Sequence, residues 1–302
     1  MSEKLLVVIG GPTASGKTGL AIQVAAHYGT EIVSADSRQF YSDIPVGTAQ
    51  PDPTQLALIK HHFIGEFPLE TTITSGQYAE MCRERLSLLF QSHDVVVLTG
   101  GSGLYIDAVL SGVDELPEAD HKIREQLNTL YSEKGLEALQ ELLLKSDPEY
   151  YKKVDLQNPR RLIRALEVCL ITGQPYSSFL GKRTSPLPWK YVMCGIDFSR
   201  EELYARINKR VDEMIASGLT EEARSVFAKR HLNALHTVGF TELFMHFEGK
   251  ISYEEAVELI RKNTRNYAKR QLTWFRRYPE MQWFAPDSLP EVIRWIDSQV
   301  HS

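Results

Sequence analysis

Near the start of the chain, Gly11-x-x-x-x-Gly16-Lys17-Thr18 satisfies the phosphate-loop pattern in full, and its flanks leave little choice of architecture. Leu5 to Ile9 is the continuous apolar run expected of a strand buried on both faces of a parallel sheet. After the loop, Leu20, Ala21, Val24, Ala25 and Tyr28 recur at helical spacing until Gly29 stops the helix. In such a strand–loop–helix unit, backbone N–H groups and the positive end of the helix meet phosphate oxygens together. Lys17 adds a point charge, and the Thr18 hydroxyl can reach a magnesium ion. A phosphate-bearing ligand is therefore expected on Gly11, Pro12, Thr13, Ala14, Ser15, Gly16, Lys17 and Thr18.

Further strands are expected at Glu31 to Ala35, ending at Asp36, and at Asp94 to Leu98, with an amphipathic helix from Gln77 to Phe90 between them. Alternating strands and helices predict an α/β fold, a P-loop parallel sheet flanked by helices. After Gly112 the texture changes. Pro117 to Leu144 reads as charged helix, and Asn158 as the N-cap of a helix from Pro159 to Ile171. A Gly/Pro-rich loop follows, and the sheet resumes at Trp189 to Ile196. The division is thus a core of residues 1–112 and 190–302, with an all-helical insertion at 113–189. The last third reads as helical, with capping boxes at Ser199-Arg200-Glu201-Glu202 and Ser252-Tyr253-Glu254-Glu255.

Composition closes other routes. With 43% hydrophobic and 24% charged residues in 302, this is ordinary globular composition. No apolar run approaches the roughly 18 residues of a spanning helix, and the opening Met1-Ser2-Glu3-Lys4 is too short for a secretory signal. A cytoplasmic protein is expected. Cys82, Cys169 and Cys194 form no pair, and the nine histidines lack metal-site spacing. The net charge of −5 argues against indiscriminate nucleic-acid binding, yet Arg261 to Arg277 holds seven basic residues and no acid.

The usual phosphate-loop hydrolase has a carboxylate at the end of a neighbouring strand; here that strand ends in Leu98-Thr99-Gly100-Gly101. The strand-end acid is instead Asp36. By spacing alone a general base, a metal ligand and a structural cap are equally open for it.

The chain resembles the tRNA dimethylallyltransferases (tRNA isopentenyltransferases) of bacterial type, nearly end to end. The resemblance is carried by the phosphate loop itself, by Asp36-Ser37-Arg38-Gln39-x-Tyr41 and Val46-Gly47-Thr48-Ala49-Gln50-Pro51, and by Gly100-Gly101-Ser102-Gly103-Leu104-Tyr105. It continues in Asn158-Pro159-Arg160-Arg161-Leu162-x-Arg164-Ala165-Leu166-Glu167, Arg210-Val211-Asp212-x-Met214 and Ala268-Lys269-Arg270-Gln271-x-Thr273-Trp274-Phe275. The Cys/His zinc finger of the eukaryotic members has no counterpart. The resemblance implies transfer of a dimethylallyl group from dimethylallyl diphosphate to the N6 amine of adenosine 37 in tRNA. The loop would then hold a diphosphate leaving group, with Mg2+ at Thr18. It implies catalytic roles for Asp36 as base, Ser102 (where the family usually carries threonine), Lys17, and an arginine. Arg210, read as lying on the exposed side of its helix, is the candidate and Arg206 the alternative; a solvated helix face would carry both as well. Contacts with tRNA are implied for Asp36, Ser37, Arg38, Gln39, Ser102, Arg124, Arg160, Arg161, Leu162, Ile163, Arg164, Lys269, Arg270 and Gln271. Phe40, Tyr41, Trp274 and Phe275 are expected in the core, with one as a stacking wall. A monomer is the default expectation. A P-loop kinase, a free-adenylate isopentenyltransferase and a non-enzymatic RNA-binding module are the alternatives; the basic segments favour tRNA as acceptor.

Overall fold

The computed structural model describes residues 4–182 and 186–300; the opening Met1-Ser2-Glu3, residues 183–185 of the Gly/Pro-rich loop and the final His301-Ser302 lie outside them. The elements in order are β1 (Leu5–Gly10), α1 (Lys17–Tyr28), β2 (Ile32–Ser34), α2 (Pro53–Leu58), β3 (His61–His62), α3 (Ser75–Leu89), β4 (Val95–Gly100), α4 (Gly103–Ser111), α5 (His121–Ser146), α6 (Pro148–Tyr151), α7 (Pro159–Thr172), β5 (Lys190–Ile196), α8 (Arg200–Ala216), α9 (Leu219–Ser225), α10 (Phe240–Phe247), α11 (Tyr253–Phe275), β6 (Gln282–Phe284) and α12 (Leu289–Val300). Two compact units result, Met1–Leu110 with Leu187–Ser302, and Ser111–Pro186. Among the described residues no helix is long and apolar enough to cross a membrane.

The first unit is built on six parallel strands in the order β3-β2-β4-β1-β5-β6. Side chains alternate across a strand, so β1 feeds two cores. Leu5, Val7 and Ile9 pack with Leu20, Val24, Val292 and Ile296 of α1 and α12. Leu6 and Val8 face the opposite layer, with Cys82, Leu86, Ile106 and Phe275 of α3, α4 and α11. Every residue of β1 and β4 is buried, which is why these strands read as unbroken apolar runs. Gly29 ends α1 in the left-handed conformation, and both serine capping boxes start their helices, α8 at Ser199 and α11 at Ser252.

The last third departs from its helical reading at β6, which extends the sheet beside β5. Only three residues pair there, too few for the period-2 pattern to show. The two-residue β3 escapes notice for the same reason. Its His62 is buried, with Nε2 2.6 Å from Glu31 and Nδ1 3.0 Å from an Arg85 guanidinium nitrogen.

The second unit is helical and has its own core, Leu127, Leu139, Leu143, Leu162, Ile163, Ala165 and Leu166. The charged stretch from Pro117 becomes helical only at His121, where the Asp120 carboxylate caps the N–H groups of Lys122 and Ile123. Gly135, at φ 76°, breaks α5 into two parts. Within this unit Glu167 is fully buried and accepts hydrogen bonds from Arg124 at 2.6 Å and Arg164 at 2.7 Å.

The ends of β2 and β4 close tightly on each other. Ala35 N–H donates to Thr99 O at 2.7 Å, and Ser102 N–H donates to Ala35 O at 3.2 Å. A Cβ on Gly100 would overlap the Ala35 backbone. Gly100→Ala is therefore expected to cost about 1–3 kcal/mol as an overpacked site, measured as a lowered urea midpoint with unchanged slope.

Candidate active site

The phosphate loop runs from the end of β1 to the start of α1. Ala14 at φ 64° and Gly16 at φ 81° take left-handed conformations that turn it back on itself. Two of its carbonyls are tied by side chains: Lys17 Nζ donates to Pro12 O at 3.0 Å and Arg206 Nε to Ala14 O at 2.8 Å. Helix α1 begins at Lys17, so Lys17 and Thr18 supply the unpaired N–H groups of a first turn. The Ser15 hydroxyl is buried without a partner. Thr13 differs from the expected cradle, since its N–H is taken by Gln271 Oε1 at 2.8 Å.

Asp36 follows β2 in a tight turn, its Oδ1 accepting the Arg38 N–H at 3.1 Å. Ser102 Oγ accepts the Ser37 N–H at 2.9 Å and lies 3.1 Å from Ser37 Oγ. The Ser102 hydroxyl is thus occupied in holding this turn. Arg38 Nη1 donates to the carbonyls of Asn233 and Ala234 at 2.9 and 3.1 Å, with Nη2 3.4 Å from His236 O. Gln39 Nε2 donates to Ala49 O at 2.9 Å. Glu222 accepts the N–H groups of Val46 and Gly47 at 2.8 and 2.7 Å, a support with no sequence signal because it sits 176 and 175 residues from its partners.

These parts enclose one cavity. Its lining includes the polar Thr13, Lys17, Thr18, Asp36, Arg38 and Arg210 and the apolar Ile207, Val211, Met214, Val238 and Ile260, together with Tyr267. Arg210 is therefore not on an exposed helix side. It lies three residues from Ile207 and four from Met214, on the face those residues share. Arg206 is the more exposed arginine, stacked 4.7 Å from the Phe198 ring. Thr237 and Val238 also line the cavity, from an irregular segment whose sequence has no period to betray it. Burial lowers Lys17 to about 8, opposed by Asp36 and reinforced by Arg210. Burial also lowers Arg210, with Asp36 opposing.

The residues read as RNA contacts divide sharply. In α11, Lys262, Lys269 and Arg270 are exposed, while Arg261 is paired with Asp212 and Glu258, and Arg277 with Asp107 at 3.3 Å. Arg265 Nη1 donates to Asn208 Oδ1 at 2.7 Å. Gln271 is buried, so its side chain is no surface contact. In the second unit, Arg160 and Arg161 are exposed, and Arg124 and Arg164 reach the surface from their shared carboxylate. Leu162 and Ile163 correct the sequence reading: their side chains belong to that unit's core. A motif copied as a continuous run includes the buried face of its helix. Phe40, Tyr41 and Phe275 are buried and Trp274 is half-buried.

Residues 39–278 match the family model described as IPP transferase. The tRNA dimethylallyltransferase of Christiangramia forsetii is 48% identical over 303 residues, covering 100% of both chains. The tRNA dimethylallyltransferase 1 of Phocaeicola vulgatus is 45% identical with the same coverage. Among solved structures, the full-length tRNA isopentenylpyrophosphate transferase of Bacillus halodurans superposes with a TM-score of 0.73 at 30% identity, covering 99% of this chain and 97% of that one. A eukaryotic dimethylallyltransferase acting on tRNA shares the fold at a TM-score of 0.76 and 23% identity, covering 90% of this chain and 69% of that one.

The depressed Lys17 has a stability consequence. Its pKa is about 8 in the folded chain against 10.5 for an ordinary lysine. Between those values the unfolded chain binds more protons, so Lys17 contributes a stability that rises with pH. The difference in unfolding free energy between wild type and Lys17→Met is expected to shift towards wild type from pH 8 to 10.5; denaturant titrations at the two ends measure it.

Proposed function

This chain belongs to the IPP transferase family, and from that premise we propose that it moves a dimethylallyl group from dimethylallyl diphosphate to N6 of adenosine 37 in tRNA, releasing diphosphate. The observation that carries this reading is that one cavity is lined both by the cationic Lys17 and Arg210 and by the apolar Ile207, Val211, Met214, Val238 and Ile260. A diphosphate ester of a short branched hydrocarbon presents those two surfaces. The neighbouring strand β4 ends at Thr99-Gly100 without the carboxylate that triphosphate hydrolysis employs.

In the proposed reaction the N6 amine attacks the allylic carbon as its bond to the diphosphate oxygen breaks. The electron pair leaves on the diphosphate, where Lys17, Arg210, the Thr13 hydroxyl and the α1 N-terminus meet the growing charge. Asp36 takes the proton from the amine, a role worth about 10²- to 10⁴-fold. Magnesium fits the donor set. Among the described residues there is no group of three or more His, Cys, Asp or Glu that could hold a metal, so the ion would rest on the Thr18 hydroxyl, diphosphate oxygens and water, as Mg2+ commonly does. There it would neutralise leaving-group charge.

The acceptor adenine would be drawn out of its loop to reach this cavity. The exposed Arg160 and Arg161, the anchored Arg124 and Arg164, and Lys269 and Arg270 are proposed to meet tRNA phosphates. A monomer working in the cytoplasm completes the reading.

Incubation with labelled dimethylallyl diphosphate and either bulk tRNA or AMP tests it. Label is expected in tRNA; label in AMP alone, or in neither, overturns the assignment. Asp36→Ala should reduce turnover by about 10²-fold or more with tRNA affinity nearly intact; an unchanged rate removes Asp36 as base. Arg161→Ala should weaken tRNA binding and reduce the log–log salt slope by about 0.7–0.9, checked by binding titrations across ionic strength.

A further inference from the structure

Helix α11 turns three side chains towards the strand ends, and each meets a glycine. A Cβ on Gly10 would overlap the Phe275 ring, one on Gly103 the Trp274 indole, and one on Gly101 the Gln271 amide nitrogen. Two of these contacts are apolar packing. The third is polar, and both ends of its amide are committed. Gln271 Oε1 accepts the Thr13 N–H at 2.8 Å, and Nε2 donates to Gly101 O at 2.9 Å. The residue is 5% exposed.

We propose that Gln271 is a positioning residue for the donor diphosphate: it sets the phosphate loop by tying Thr13 to Gly101, and it makes no contact with RNA. The inference rests on the reading of the loop as the donor's cradle.

Thr13 lines the cavity, and its backbone is fixed from behind by this amide. A side chain here has to accept from one backbone group and donate to another across a fixed gap. Among uncharged side chains of this length only glutamine does both; glutamate lacks the donor. Removing the amide leaves the part-buried Thr13 N–H and the buried Gly101 C=O without this partner, a loss that falls on the loop read as holding the anion. The neighbouring Lys269 and Arg270 are exposed while Gln271 is buried, so Gln271 is separable from the basic surface beside it.

The experiment compares wild type, Gln271→Ala, Gln271→Glu and Gly101→Ala. Calorimetry with pyrophosphate and magnesium reads the cradle, and steady-state kinetics and tRNA titration read the rest. For Gln271→Ala the pyrophosphate Kd and the donor KM are expected to rise about tenfold, with tRNA Kd unchanged. Gln271→Glu keeps the acceptor but turns a carboxylate oxygen on Gly101 O and adds negative charge behind the loop, so it should raise both at least as far. Gly101→Ala pushes the amide aside and should reproduce the donor effect, which keeps the proposal open to test if Gln271→Ala does not fold. Wild-type pyrophosphate affinity in folded variants overturns it. So does weakened tRNA binding at constant donor KM, or a lower kcat with both KM values unmoved, which would mark a merely structural residue. Wild type that neither takes up pyrophosphate nor uses the prenyl donor would instead remove the reading of the cradle itself.

Discussion

The seating of α11 on the carboxyl ends of β1 and β4 is the contact on which the site depends. A parallel sheet presents its strand ends at one rim, and ligand sites of α/β folds gather there. Here that rim is bare backbone at Gly10, Gly101 and Gly103, covered by Phe275, Gln271 and Trp274. The phosphate loop sits between β1 and α1 and takes one of its hydrogen bonds from this covering helix. Fold and cradle are therefore stabilised by the same helix.

Charge in the cavity is arranged at some energetic cost. Lys17 and Arg210 both lose solvent, and Asp36 offsets part of that loss for each. Two cations held near one acid leave a positive excess where a polyanion would land, and enclosure strengthens its attraction relative to bulk water. The apolar residues of α8 that border them, Ile207 and Val211, are also buried residues of that helix. A single amphipathic helix thus supplies part of the apolar lining as well as the guanidinium.

Much of this was legible in residues. Leu5 to Ile9 and Val95 to Leu98 announce themselves because a doubly buried strand has no polar face, and Ser199 and Ser252 because a capping box is a local code. The phosphate loop was readable for the same reason. What escaped was long-range or short. Glu222 holds Val46 and Gly47 from far along the chain, Thr237 and Val238 lie in irregular backbone, and β3 and β6 are too brief to show a period. Helical spacing gives faces but not which of them meets a cavity, so Arg210 reads as exposed although it lines one. Leu162, Ile163 and Gln271 show a different limit, since a motif names consecutive residues while a helix sends them in different directions.

The second unit's Glu167 has a consequence of its own. One sequestered carboxylate grips two guanidinium groups, Arg124 and Arg164, whose side chains remain 42% and 30% exposed. Long basic side chains ordinarily surrender much rotational freedom when they close on a partner. These two have surrendered part of it beforehand, during folding, so an anion bound there would cost that surface less ordering than two free arginines would.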